Sequence, residues 1–250
     1  MKYAVITGAS RGLGASIAQQ LMAESIYVIS VARTENKDLK QAAARNGSGY
    51  EHYNCDLASE RQVHEAFSKI TETIFQDAEK VYVINNAGMI EPIEVAGTLD
   101  PSLLMTNVQV NLTAPVLICN LILQKASESG VETVIANVTS GAAERPIHGW
   151  SMYCSTKAAI NMFTMTAGLE LENAASSSKI IAFSPGIMDT DMQATIRSSS
   201  KDAFADLETF KNYKESGSLR SPDTVAGALV KLILNSVLEN GKVYKVNDLL

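Results

Sequence analysis

The sequence predicts an α/β fold: one domain, residues 1–250, built on a doubly wound parallel sheet with helices on both faces. Three observations carry this. Short β-branched runs alternate with longer helical stretches along the whole chain. Those runs are apolar almost throughout, as strands buried on both faces must be. A glycine-rich turn joins the first run to the first helical stretch.

Element by element, strands are expected at 3–6, 26–31, 50–55, 81–84, 133–138 and 180–183, with a final edge strand at 242–246. Helices are expected at 12–24, 37–45, 59–75, 103–125 and 153–172. In the 59–75 stretch Val63, Ala66, Phe67, Ile70 and Ile74 recur at helical spacing. The serine runs at 176–178 and 198–200 read as loops, too short to link domains. Residues 187–218, polar and charged in the second half, are expected to form a lid over the carboxyl edge of the sheet.

Hydrophobic residues make up 46% of the chain and charged residues 19%, a globular rather than a disordered balance. No apolar run approaches the roughly 18 residues that a bilayer span needs, so no membrane partner is expected. The apolar start breaks at Gly8 and reads as a strand rather than a signal peptide. A net charge of -6 disfavours nucleic acid as a partner. Cys55, Cys119 and Cys154 are odd in number and match no metal spacing. They point to a reducing cytoplasm, without disulfides or a metal.

The turn after the first strand is Thr7-Gly8-Ala9-Ser10-Arg11-Gly12-Leu13-Gly14. Gly8 allows a tight turn, Gly12 lets the backbone approach a pyrophosphate, and Gly14 permits close helix–strand packing. The helix start offers unpaired N–H groups to the phosphates. A Rossmann-type site for a nicotinamide dinucleotide follows. The second strand ends Val31-Ala32-Arg33-Thr34, with no acid at its tip to bind ribose hydroxyls. Arg33 together with Arg11 suits a 2′-phosphate instead, which favours NADP(H).

Ser140, Tyr153 and Lys157 form a Ser-x12-Tyr-x3-Lys pattern. Tyr153 and Lys157 fall on one face of a helix, and Ser140 ends the fifth strand at its carboxyl edge. A phenol with a pKa near ~10 is a poor acid–base at neutral pH. A neighbouring ammonium would lower it, making Lys157 the tuner and Tyr153 the proton donor, with Ser140 bonding the carbonyl oxygen.

These residues, with Asp56-Leu57, Asn85-Asn86-Ala87-Gly88, Asn111 and Pro185-Gly186 with Thr190, make the chain resemble the short-chain dehydrogenase/reductase family over its full length. The stretches 111–115, 139–143, 183–193, 196–200 and 217–222 resemble its sepiapterin reductase-like branch. The resemblance implies that Asp56 contacts the adenine, that Asn86 and Ala87 line the adenosine half, and that Leu57 and Gly88 also belong to the cofactor site. It further implies that Asn111 holds a helix distortion and a water relaying protons to Lys157. Thr190 would bond the nicotinamide carboxamide, close to Ile187. The expected cofactor-binding set is thus Gly8, Ser10, Arg11, Gly12, Leu13, Gly14, Arg33, Asp56, Leu57, Asn86, Ala87, Gly88, Tyr153, Lys157, Pro185, Gly186, Ile187 and Thr190. The implied activity is NADPH-dependent ketone reduction.

Around Tyr153, the apolar and sulfur-bearing Met89, Trp150 and Met188 are candidate substrate contacts, suited to an aromatic or vicinal 1,2-diketone. The alternatives are a pterin side-chain reductase, a 3-oxoacyl or steroid reductase, and a non-catalytic NADP(H)-sensing module. Leu117, Leu121, Phe163 and Leu169 are candidates for the face of a homodimer.

Overall fold

The computed structural model describes all 250 residues. Seven parallel strands form one sheet: β1 Lys2–Thr7, β2 Tyr27–Ala32, β3 Tyr50–Asn54, β4 Lys80–Asn85, β5 Glu132–Val138, β6 Lys179–Ser184 and β7 Val243–Lys245. Their spatial order is β3-β2-β1-β4-β5-β6-β7. The winding direction therefore reverses between β1 and β4, and a crevice opens there at the carboxyl ends of the strands.

Side chains alternate across each strand, so every strand supplies both faces. On one face Ala4, Ile6 and Phe183 pack with Ile17, Leu39 and Leu229, from α1 (Gly12–Ala23), α2 (Lys37–Asn46) and α9 (Pro222–Asn235). On the other, Val5, Ile29 and Val83 pack with Phe67 and Ile70 of α3 (Glu60–Ile74), Ile118 and Ile122 of α5 (Ala114–Ser129), and Ala167 of α6 (Ser151–Asn173). Each fully buried aliphatic or aromatic side chain contributes roughly 1.5–3 kcal/mol. Local signals fix the helix starts. Ser59 accepts from the Gln62 amide at 3.4 Å ahead of α3. Asp100 accepts from the Ser102 and Leu103 amides at 2.8 and 3.0 Å ahead of α4 (Pro101–Val108).

Three departures from the sequence expectation stand out. The helix expected at 103–125 is two helices, α4 and α5, joined by a π-turn at Gln109–Thr113. This rod contains a stretch of mean hydropathy 1.3, and it buries Ile118, Ile122 and Ala126 against the sheet. The segment 187–218, expected as a lid, holds two helices that the sequence did not reveal, α7 (Asp191–Arg197) and α8 (Leu207–Glu215). Helix α9 was not anticipated, although Ser221 before Pro222 is a start signal and Ser221 accepts from the Thr224 amide at 3.1 Å.

Candidate active site

The glycine turn lies at the switch point. Gly8 and Gly12 have φ of +69° and +55°, a region that favours glycine. A Cβ at Gly14 would stand 2.5 Å from both the Gly8 carbonyl oxygen and the side-chain Nδ2 of Asn86, so only glycine lets α1 close on the strand. From below, Asn86 Nδ2 donates to the carbonyls of Thr7 and Gly8 at 3.0 and 3.2 Å. The Thr7 hydroxyl accepts from the Asn86 and Ala87 amides at 3.0 and 3.1 Å. The side chain of Asn86, expected along the cofactor, is thus spent holding the turn.

Helix α1 has no side-chain cap and no acid in its first turn. Its leading N–H groups, from Gly12, Leu13 and Gly14, remain for an anion. This uncapped start, in a cradle that a Cβ would fill, fits a dinucleotide pyrophosphate. Ser10 is half-buried in the turn. Arg33 follows β2, exposed, with its carbonyl accepting from Asn54 Nδ2 at 2.7 Å. Arg11 is also exposed and pairs with Asp191 of α7 at 2.9 Å. Periodicity and spacing do not reveal this pairing, because Asp191 lies far along the chain from Arg11. Asp56 accepts from the Ala58 amide at 3.1 Å and stays half-buried, beside a buried Leu57.

Ser140 caps a short 3-10 turn, Gly141–Ala143. Its Oγ accepts from the Ala142 amide at 3.1 Å, which leaves the hydroxyl proton free to be donated. Tyr153 is buried, and burial pushes its phenol up to about 12, with the Ser140 hydroxyl opposing the rise. Lys157 is buried too, and burial holds its ammonium down to about 8. Its Nζ donates to the Val138 carbonyl at 2.9 Å and stands 5.7 Å from the Tyr153 ring centroid. In the chain itself, burial is the largest influence on the Tyr153 phenol.

Asn111 sits in the π-turn, as the distortion expected there requires. Its Oδ1 accepts from the Met89 amide at 2.9 Å, and its Nδ2 donates to the Met89 carbonyl at 2.8 Å. Gly88 lies against this group, since a Cβ there would be 3.3 Å from Asn111 Oδ1 and 3.5 Å from Lys157 Nζ. Gly88 thus adjoins Asn111 and Lys157, Lys157 adjoins Tyr153, and Tyr153 adjoins Ser140, so the five form one contiguous group. Pro185 is buried and Gly186 has φ of +70°. Beyond them Ile187 and Asp189 exchange backbone bonds with Arg220, at 3.2 and 3.0 Å. Thr190 starts α7 with its hydroxyl making no cap bond.

The three candidate substrate contacts divide. Met89 is half-buried beside Asn111, and Met188 is half-buried against the core under α9. Trp150 shows only 4% of its surface. Its indole stacks on Phe204 at 4.9 Å and meets Phe210 and Tyr153 edge-on at 5.3 and 5.6 Å. It anchors segment 187–218 to the site rather than standing open to a ligand. Phe204 and Phe210 were not singled out from sequence. Of the candidate dimer residues, Leu117, Leu121 and Phe163 pack against the core, and only Leu169 is exposed, at 58%.

The chain belongs to the short-chain dehydrogenase family, whose model, described as short chain dehydrogenase, matches residues 2–201. Members of this family are oxidoreductases that act on carbonyl and alcohol groups with a nicotinamide cofactor. Among its relatives is a benzil reductase ((S)-benzoin forming) of Bacillus subtilis (strain 168), 43% identical and covering 100% of both chains. Another benzil reductase, of Bacillus cereus, is 37% identical over 99% of this chain and 100% of that one. The sepiapterin reductase of Bos taurus is 29% identical over 95% and 91%. A solved short-chain dehydrogenase/reductase of Saccharomyces cerevisiae superposes with a TM-score of 0.82, at 27% identity over 99% and 97%.

Proposed function

We propose that this protein reduces a ketone with NADPH, and that the ketone is an aromatic or vicinal 1,2-diketone such as benzil, taken to (S)-benzoin. The observation that carries the chemistry is the gathering of Ser140, Tyr153, Lys157 and Asn111 at the same carboxyl edge of the sheet as the uncapped start of α1. The substrate class rests on the similarity to benzil reductases. When bound, the reduced nicotinamide supplies the hydride.

The chain supplies the rest. Ser140 has its hydroxyl proton free for the substrate oxygen as charge develops there. Tyr153, kept protonated by burial, is the acid that completes the alcohol. Lys157 has one acceptor, Val138, for its three N–H bonds, so the others are available to cofactor hydroxyls and to Tyr153. Gly8, Ser10, Gly12, Leu13 and Gly14 would hold the pyrophosphate. Asp56, Leu57, Ala87 and Gly88 would line the adenosine half, with Asn86 acting from beneath the turn. Pro185, Gly186, Ile187 and Thr190 would hold the nicotinamide end.

Arg11 and Arg33 support NADPH over NADH. Arg11 would have to leave Asp191, and an exposed ion pair of this kind is worth only about 0–1 kcal/mol. Segment 187–218 serves as the lid, Met89 and Met188 border the ketone, and Trp150 secures the lid. The reading includes a cytoplasmic homodimer; the free cysteines support the reducing compartment.

The deciding experiment follows NADPH and NADH consumption with benzil, a 1-phenyl-1,2-dione and sepiapterin, with chiral analysis of the product. NADPH-linked formation of (S)-benzoin is expected. No turnover of either dione would sink the substrate assignment, and equal use of NADH would sink the cofactor assignment. Tyr153→Phe is expected to cut turnover about 10²–10⁴-fold with cofactor binding retained.

A further inference from the structure

Asn107 lies one helical turn before Asn111 and is 0% exposed. Its Nδ2 donates to the Glu91 carbonyl at 2.7 Å and more weakly to the Met89 carbonyl at 3.4 Å. Its Oδ1 accepts from Asn111 Nδ2 at 3.0 Å and from the Thr156 hydroxyl at 3.2 Å. That hydroxyl has one proton, and the carbonyls of Met152 and Tyr153 also lie within 3.0 and 3.2 Å of it. Both ends of the Asn107 amide are therefore used. A flip would set donor against donor toward Asn111, and acceptor against acceptor toward Glu91.

We propose that Asn107 is a positioning residue for proton transfer: it fixes the amide of Asn111 and ties it to α6 at the residue next to Lys157. The proposal rests on the reading of Ser140, Asn111, Tyr153 and Lys157 given above. Asn111 occupies a π-turn, and its side-chain amide is held by hydrogen bonds with its neighbours. Those neighbours are Met89 on one side and Asn107 on the other. An apolar residue would fill a fully buried helix position facing α6 at no desolvation cost, whereas an amide there must have its polar atoms satisfied. Here they are satisfied by groups that adjoin the site: the 89–91 loop, Asn111 and Thr156. Such supporting bonds matter because misplacement by about 1 Å can cost ~10²-fold in rate.

The test measures kcat, KM and their pH dependence for variants against wild type, on any ketone the wild type reduces. Asn107→Ala is expected to lower kcat about 10- to 100-fold while KM for cofactor and ketone stays within about threefold. Asn107→Asp keeps the shape. Its protonated form retains an O–H donor and an acceptor, and its ionised form has no donor. Its kcat, relative to wild type, is expected to recover as pH falls. Thr156→Val is expected to lower kcat less than Asn107→Ala and to add nothing to it in the double variant.

An Asn107→Ala enzyme with kcat within about twofold of wild type overturns the proposal, as does a pH-independent ratio for Asn107→Asp. Should Asn107→Ala fail to fold, the other two variants decide. A wild-type kcat for Thr156→Val with a flat ratio for Asn107→Asp refutes the role. Wild-type turnover itself tests the underlying reading of the site, so the two fail separately.

Discussion

At the scale of single residues, the site combines groups that the fold makes expensive. Lys157 is buried with its pKa held down to about 8. An unfolded lysine titrates near ~10.4, so below about pH 8 both states carry the charge and the folded state bears its desolvation. From about pH 8 to about 10.4 the folded state has lost the proton that the unfolded chain keeps, and stability rises with pH in that window. Lys157→Met is therefore expected to raise the melting temperature of the cofactor-free protein at pH 7, by a few degrees at about 2–4 °C per kcal/mol. The gain should shrink as pH climbs past about 8, while turnover is lost. Thermal scans at pH 7 and pH 9 check this; a variant less stable than wild type at pH 7 would contradict it. The residues of this pair were legible in the sequence because a spacing of four sets them on one helix face. The direction of the Tyr153 shift was not legible. It depends on how completely Trp150 and its neighbours close over the ring, and those neighbours come from distant parts of the chain.

At the scale of elements, segment 187–218 depends on one glycine outside it. Gly149 has φ of +84°, and a Cβ there would lie 2.0 Å from the Ala203 carbonyl oxygen and 3.4 Å from Phe204 Cα. Backbone cannot yield as a flexible side chain can, so Gly149→Ala must push 203–204 away from Trp150. The expected cost is about 2–4 kcal/mol, from the left-handed backbone and the lost stacking. KM for the ketone should rise more than KM for the cofactor, whose cradle lies across the crevice on β1 and α1. Steady-state kinetics with a thermal melt settle it, and wild-type values for both would refute the anchoring. Sequence patterning placed this segment but missed its helices. Its apolar residues Ile196, Phe204, Leu207 and Phe210 serve a small local cluster with Trp150, not the periodic core. The π-turn was equally invisible as geometry, because 109–113 differs from the helix around it by a hydrogen-bond shift and not by composition. Only the family resemblance anticipated a distortion at Asn111.

At the scale of the whole molecule, the sheet order was within reach of the sequence. Strand–helix alternation and apolar strands leave few ways to cover both faces. Association is a different matter, because a helix buried on one side leaves its outer side unspecified by periodicity. Leu117, Leu121 and Phe163 are half-buried against the core. The outer face of α6 instead shows Met162, Met165 and Leu169, exposed at 61%, 49% and 58%. They stand at i, i+3 and i+7, one stripe on the helix that carries Tyr153 and Lys157. Full burial from full exposure yields roughly 1.5–3 kcal/mol for such a side chain; about half of that remains to be gained at each position, in both copies of a symmetric pair. A charge in the middle of that stripe would be stranded in the contact, at a cost well above what the remaining apolar area supplies. Met165→Glu is thus expected to convert a dimer to a monomer in sedimentation analysis, with the monomer melting at lower temperature. If wild type already sediments as a monomer at micromolar concentration, or Met165→Glu remains dimeric, this face is not the interface.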